Sequence, residues 1–246
     1  MPEATTTPET ETLRARLARV RERIDASARR AGRVPEDVTL IAVSKTHPPE
    51  LLREANAAGA SDFGENRVQE AEGKIAEVGR TSARWHLIGH LQANKARRAA
   101  RLFDVIHTLD SVSMVERLER LCIEDGREHL DVLIQVDLAG EATKAGADVD
   151  ELPRIADAVG ACARLRLMGL MTLPPFFEDA ESVRPFFRRL RSLRDELRAR
   201  GAFASSGSDG ELSMGMSHDF EIAVEEGATL VRVGTAIFGA RGIAAS

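Results

Sequence analysis

From Leu13 the chain repeats apolar residues at helical spacing, with Leu17, Val20 and Ile24 set among arginines and glutamates. That period predicts an amphipathic helix ending near Gly32. Beyond it the pattern changes: short β-branched or apolar runs alternate with stretches of helical period. VTLIAVS precedes PELLREANAAG, ASDFG precedes VQEAEGKIAEV, RWHLIG precedes LQANKARRAAR, and FDVIHT precedes VSMVERLERLCIEDG. The second half continues with LDVLIQVDL before ELPRIADAVGACA, LRLMGLMTL before VRPFFRRLRSLRDELRARG, ELSMG before DFEIAVEEG, and TLVRVG before TAIFGAR. Strands joined by helices are forced into right-handed parallel crossovers, and eight such units in about 250 residues match a closed barrel. An open doubly wound sheet is the competing architecture, but neither GxGxxG nor GxxxxGK[ST] follows any run. The predicted fold is α/β: a single (β/α)8 barrel with an extra N-terminal helix.

Composition adds limits. The 246 residues are 43% hydrophobic, as in an ordinary globular protein with a sizeable core. Acidic residues (39) outnumber basic ones (34) for a net charge of -5, so no general grip on nucleic acid is expected. The basic run NKARRAAR, Asn94 to Arg101, then reads as a solvated helix face. Cys122 and Cys162 lie far apart with no CxxC spacing, which suits a reducing cytoplasm. The start MPEATTTPETE lacks the basic and apolar segments of a signal peptide, and no stretch approaches about 18 uninterrupted apolar residues. A cytoplasmic protein without a membrane segment is expected, with a disordered tail over residues 1–11 and one domain over 12–246. GAFASSGSDG, Gly201 to Gly210, is expected to be a flexible loop within that domain.

In such barrels the active site gathers at the C-terminal ends of the strands. Those ends read Lys45; Glu65 and Asn66; His86 and His90; His107 and Ser111; Gln135 and Asp137; Thr172; Ser213 and Ser217; Arg232 and Thr235. Polar residues open loops in any protein, but two sets carry more specific chemistry. Lys45 follows LIAV, so its stem should be desolvated at the barrel mouth, freeing a nucleophilic amine for Schiff-base formation with a carbonyl. A solvated lysine beginning a loop is the other reading of that position. SMGMS (Ser213 to Ser217) and GTAIFG (Gly234 to Gly239) follow the seventh and eighth runs, where barrels commonly hold a phosphate. Glycines there let amides and a short helix N-terminus approach the anion, and Ser213, Ser217 and Thr235 offer hydroxyls. Ser217 serves equally well as a cap for HDFEIAVEEG, and Asp219 would repel a phosphate unless it faces away. Arg232, between Val231 and Val233, either faces the cavity, where it could donate to a ring nitrogen, or forms an ion pair in the helix layer. No metal-ligand set is expected. A phosphate site opposite a buried lysine narrows the ligand to something phosphorylated that carries a carbonyl.

AVSKTHP, FGENRVQE, WHLIGHLQANK, HTLDS, IQVDLAGEATKAG, GLMTLPP and LSMGMSHDFEIAVEEGATLVRVGTAIFGAR together resemble the pyridoxal phosphate homeostasis proteins, over about Ala42 to Arg241. The resemblance implies a single barrel like the N-terminal domain of alanine racemase, with pyridoxal 5'-phosphate held as a Schiff base on Lys45. It implies phosphate contacts from Ser213, Gly215, Ser217, Gly234 and Thr235, an arginine near the pyridine nitrogen at Arg232, and Asn66 beside the cofactor. His218 stands at a variable position of that pattern, and Asp137 with Leu138 replaces a more polar pair. The function implied is to carry or buffer the cofactor for vitamin B6 and amino-acid homeostasis, with apo forms of cofactor-dependent enzymes as possible recipients and a monomer expected.

An arginine at the ring nitrogen disfavours protonating it and leaves the ring a weak electron sink. Racemases resembling this barrel use a tyrosine on the second face and a second β domain; this sequence holds no tyrosine and ends soon after the eighth unit. A cofactor carrier without substrate turnover is therefore expected. A minor racemase-like enzyme and a Schiff-base aldolase acting on a phosphorylated sugar are the alternatives, and the colour of the purified protein separates the aldolase.

Overall fold

The computed structural model describes residues 11–140 and 145–239. The expected tail lies outside them except for Glu11, as do residues 240–241 of the last predicted helical stretch. The first helix, α1, spans Leu13–Arg30 and buries Leu13, Leu17, Val20, Ile24 and Ala28, one stripe at the predicted period. Thr12 caps it by accepting from Ala15 N at 3.2 Å.

The strands are β1 Thr39–Val43, β2 Asp62–Glu65, β3 Arg84–Leu87, β4 Val105–Leu109, β5 Leu130–Val136, β6 Leu165–Thr172, β7 Glu211–Ser213 and β8 Leu230–Val233. Between and after them run α2 Pro49–Ala57, α3 Val68–Val78, α4 Ala96–Leu102, α5 Val112–Glu124, α6 Leu152–Gly160, α7 Arg184–Ala199, α8 Phe220–Glu225 and α9 Thr235–Phe238. Each strand pairs in parallel with its sequence neighbours and β8 closes on β1, with Ile41 in register with Arg232 on one side and Asp62 on the other. The sheet is a closed barrel, as predicted.

Alternation along the strands sorts residues between lumen and helix layer. Leu230 joins Ile41, Val105, Leu133 and Met171 in a small apolar cluster, while Val231 and Val233 join the large core beneath the helices. Helix α1 packs on α2, α8 and α9, holding the last units against the first. Arg33 helps by donating to Val224 O at 2.7 Å and Ala228 O at 2.8 Å. The basic run forms a 3-10 turn and α4, and its arginines are ion-paired: Arg97 and Arg101 with Asp125 at 2.7 and 2.8 Å, Arg98 with Glu72 at 3.6 Å. The expected loop at 201–210 is a series of turns pinned by buried Phe203.

Two glycines test the packing. At Gly169 an added Cβ would lie 2.0 Å from Glu211 O on the neighbouring strand, whereas at Gly73, inside α3, it would meet nothing within 4 Å. Gly169→Ala is expected to lower unfolding stability by about 1–3 kcal/mol through overpacking. Gly73→Ala is expected to raise it by about 0.5–1 kcal/mol, because alanine restricts the unfolded chain and suits a helix. Urea unfolding of both variants checks the pair.

Candidate functional site

The barrel mouth begins with the turn after β1. Ser44 is buried and Lys45 half-buried, and Thr46 takes a left-handed φ of 67° that side chains disfavour. Such a turn needs support, and α3 and β2 supply it. Lys74 Nζ, itself buried, donates to Ser44 O at 2.7 Å, Glu65 Oε1 at 2.8 Å and Glu70 Oε1 at 2.6 Å, using all three of its N–H groups. Ser44 Oγ donates to Glu65 Oε1 at 2.6 Å, and Thr46 N donates to Glu70 Oε1 at 2.5 Å. The peptides on both sides of Lys45 are thereby fixed, while Lys45 Nζ makes no hydrogen bond or ion pair among the described residues. Burial raises the Glu65 carboxyl above the usual range, with Lys74 and Ser44 pulling the other way. Burial also opposes ionisation of Glu70, but its bonds to Lys74 and Thr46 N outweigh that and hold it low.

Inside the lumen, Arg232 is buried and faces the cavity, not the helix layer. Nη1 donates to Ser213 Oγ at 2.6 Å and Nη2 to Thr172 O at 2.8 Å. Of the five N–H donors of a guanidinium, three therefore find no acceptor among the described residues. No carboxylate pairs with it among those residues, and burial pulls its pKa down to about 10, with Asp219 opposing; it stays charged at neutral pH.

Polar contacts continue from Ser213 across the barrel. Ser213 Oγ meets His107 Nδ1 at 2.9 Å, His107 Nε2 meets His86 Nδ1 at 2.9 Å, and His86 Nε2 meets Asp62 Oδ1 at 2.9 Å. Burial lowers both imidazoles, His107 well below the ordinary value, so both are neutral at pH 7.

The last two strands end in facing loops. Gly215 has φ +90°, and a Cβ there would lie 2.5 Å from Ala223 Cβ, so only glycine turns this corner; its carbonyl accepts from Arg232 N at 2.9 Å. Gly234 abuts the end of β1, where a Cβ would come 3.2 Å from Val43 O. Ser217 Oγ accepts from Gly234 N at 3.2 Å, tying the loops together, and the His47 ring stacks on Phe238 at 4.9 Å. The amides of Thr235 and Ala236 bind no acceptor among the described residues. With only four residues, α9 contributes these amides and little macrodipole. A cleft of about 290 Å³ opens across the mouth between Asn66, His90, Gln135, Asp137 and Leu173, and Asn66 Oδ1 is buried there without a partner. No group of acidic, histidine or cysteine side chains suited to a metal occurs among the described residues.

Several expectations change. Ser213 does not turn into the phosphate loop: it is fully buried, and Arg232 and His107 occupy its hydroxyl. Ser217 does not cap the following helix; Asp219 stands at that position, and its carboxylate accepts from Met216 N at 2.6 Å, within the loop. His86 and His107 lie in the lumen instead of at the mouth, whereas His90 is half-exposed and paired with Asp110 at 3.6 Å. The Lys74 cluster escaped notice, although Glu70 and Lys74 stand four apart on one helix face beside the GEN turn, a legible signal.

Residues 15–242 match the family described as alanine racemase, N-terminal domain. The pyridoxal phosphate homeostasis protein of Aquifex aeolicus is 42% identical over 226 residues, covering 92% of this chain and 97% of that one. Its namesake in Escherichia coli K12 is 44% identical over 234 residues, covering 92% and 95%. The chain belongs to the pyridoxal phosphate homeostasis protein family. PipY of Synechococcus elongatus, solved with pyridoxal phosphate bound, superposes with a TM-score of 0.77 at 40% identity over 93% of this chain and all of that one. Alanine racemase of Corynebacterium glutamicum, at 19% identity and a TM-score of 0.62, shares the fold over 94% of this chain and 63% of its own. Membership in the pyridoxal phosphate homeostasis protein family thus rests on near full-length similarity, independent of the racemase likeness.

The Lys74 cluster yields a stability prediction. Lys74→Met leaves Glu65 buried without its cation and is expected to cost about 3–5 kcal/mol. Adding Glu65→Gln should recover a large part of that loss, because the buried charge goes with it. A double-mutant cycle by urea unfolding measures the coupling, and additive losses would refute it.

Proposed function

We propose that this protein holds pyridoxal 5'-phosphate at the barrel mouth and carries or buffers it for intracellular vitamin B6 and amino-acid homeostasis, without substrate turnover. The observation that carries this reading is Arg232, a lumen-buried cation with three unused N–H donors at the mouth that Lys45 shares. Such a group needs an acceptor, and a pyridine nitrogen is one. The orphaned Asn66 Oδ1 and the free amides beside Gly234 also fit a polar, phosphorylated ligand. When bound, the cofactor supplies an aldehyde that condenses with a primary amine, losing water, to a Schiff base.

Each residue then has a task. Lys45 offers the amine from a turn held rigid by Lys74, Glu65 and Glu70. Gly215, Ser217, Gly234 and Thr235 would hold the phosphate, and Asn66 would stand beside the cofactor. Ser213 acts through Arg232 and not on the phosphate. Arg232 keeps its own proton, since its pKa of about 10 lies above neutral, so it donates a hydrogen bond without protonating the ring nitrogen. A ring left unprotonated is a poor electron sink. The 246 residues hold no tyrosine to act on the second face, and His86 and His107 are committed to each other. The 40%-identical PipY with pyridoxal phosphate bound and the names of the curated relatives support the same ligand. Recipient apo-enzymes, a monomeric state and a cytoplasmic setting belong to this proposal; among the described residues no helix is long and apolar enough to cross a membrane.

The purified protein is expected to be yellow, and borohydride should fix the cofactor on the peptide containing Lys45. Lys45→Ala should abolish that adduct while some phosphate-anchored ligand still binds; a colourless protein, or an adduct on Lys95, would sink the assignment. Lys144, another conceivable acceptor, lies outside the described residues.

Turnover is tested separately. With L-amino acids in deuterated water, the loaded protein should leave the Cα proton in place, since losing a positioned acid or base costs about 10²–10⁴ in rate. Exchange at an enzymatic rate that vanishes in Lys45→Ala would make the protein a racemase-like enzyme.

A further inference from the structure

Arg232 can only donate hydrogen bonds, and the Asp62 carboxylate can only accept them. Between them stand three groups in single file, Ser213, His107 and His86, linked by four contacts of 2.6, 2.9, 2.9 and 2.9 Å. Ser213 has one proton and each neutral imidazole has one. Only one filling makes all four bonds with both rings neutral. Arg232 donates to Ser213 Oγ, Ser213 donates to His107 Nδ1, His107 Nε2–H donates to His86 Nδ1, and His86 Nε2–H donates to Asp62. If His107 instead carried its proton on Nδ1, it would donate to Ser213, and the serine proton would have no acceptor among the described residues.

We propose that Asp62, His86, His107 and Ser213 are positioning residues for Arg232: a one-way hydrogen-bond chain across the lumen that ties the guanidinium to the carboxylate that begins β2. The proposal rests on the reading that Arg232 meets the cofactor's ring nitrogen. Asp62 begins β2, and its side chain lines a cleft of about 300 Å³ at the N-terminal end of the strands with Arg21, Asp25 and Ser61. The chain crosses from β2, β3 and β4 to β7 and β8, strands that do not all neighbour one another. Every dipole in it points its negative end toward Arg232, which stabilises a buried cation lacking an ion-pair partner. Other charges facing the chain are Arg84 and Asp104 near His86, Arg84 near His107, and Asp219 near Arg232. Ser61 Oγ donates to Asp62 at 2.7 Å, and burial of Asp62 is outweighed by His86, which keeps the carboxylate ionised. Neutralising Asp62 removes the anchor that fixes the direction of the chain. The imidazoles are then free to reverse, and Ser213 no longer reserves its lone pair for Arg232.

Two measurements test this. In the cofactor-free protein, long-range proton–nitrogen correlation spectra, assigned with His86→Gln and His107→Gln, should show both rings neutral with Nε2–H, without titration near pH 6.5. A charged ring at pH 7, or Nδ1–H on His107, would overturn the chain. In loaded protein, Asp62→Asn should weaken pyridoxal phosphate binding on the order of tenfold, within the range of coupling between distant sites. It should also shift the pH profile of the bound cofactor's absorption. Both effects should largely vanish in an Arg232→Lys background, which a general loss of stability would not do. Additive losses, or no effect in folded Asp62→Asn, would overturn the coupling while leaving the cofactor reading intact. Failure of the wild-type chain to bind pyridoxal phosphate would refute that reading and the coupling to the ring together, with the tautomers still deciding the chain itself.

Discussion

A guanidinium in the barrel lumen, with no carboxylate at ion-pair distance among the described residues, is the constraint on which most of the interior depends. Desolvating a cation is costly unless dipoles replace the water it loses. The barrel answers with oriented groups: the Thr172 carbonyl, which accepts from Nη2, and Ser213, which accepts from Nη1. Ser213 must then surrender its proton to His107, and the demand passes on to His86 and Asp62. One arginine in β8 thus dictates polar residues on four other lumen-facing strand positions. Ile41, Val105, Leu133, Met171 and Leu230 form an apolar cluster in the same lumen, and apolar surroundings strengthen such bonds.

The architecture was legible because its signals are local. The helical period over VQEAEGKIAEV coincides with α3, and each predicted run contains its strand, give or take a terminal residue. The site was legible only in part. That Lys45, Asn66 and the glycine loops end strands follows from the order of elements, and their common location follows from closure of the barrel. Which way Ser213 points does not. It ends a three-residue strand, β7, too short for an alternating pattern to reveal its inner face. Ser217 and Asp219 show the same limit: both types cap helices well, and the choice depends on a contact with Gly234 across two loops. The bond between His86 and Asp62 joins two strands, so no spacing within one run signals it.

The racemases that this chain resembles at 19% identity or less share its fold, and nothing about chemistry follows from that likeness. What decides chemistry is which side chains can exchange a proton where a ligand's carbon would sit. Here the two lumen histidines are each bonded through both ring nitrogens, so moving a proton at either one disturbs the whole chain. His90, at the rim, is held by Asp110 and is half-exposed.

The two lysines near the mouth make the same point from the other side. Lys74 is the more buried of the two. Its three N–H groups are taken by Ser44 O, Glu65 and Glu70. Lys45 has neither carboxylate nor carbonyl at bonding distance among the described residues, yet its backbone is gripped on both sides by Lys74 and Glu70. The cluster thus removes one amine from competition and orients the other. For the amine we propose as the cofactor's anchor, availability and fixed direction come from this single set of contacts.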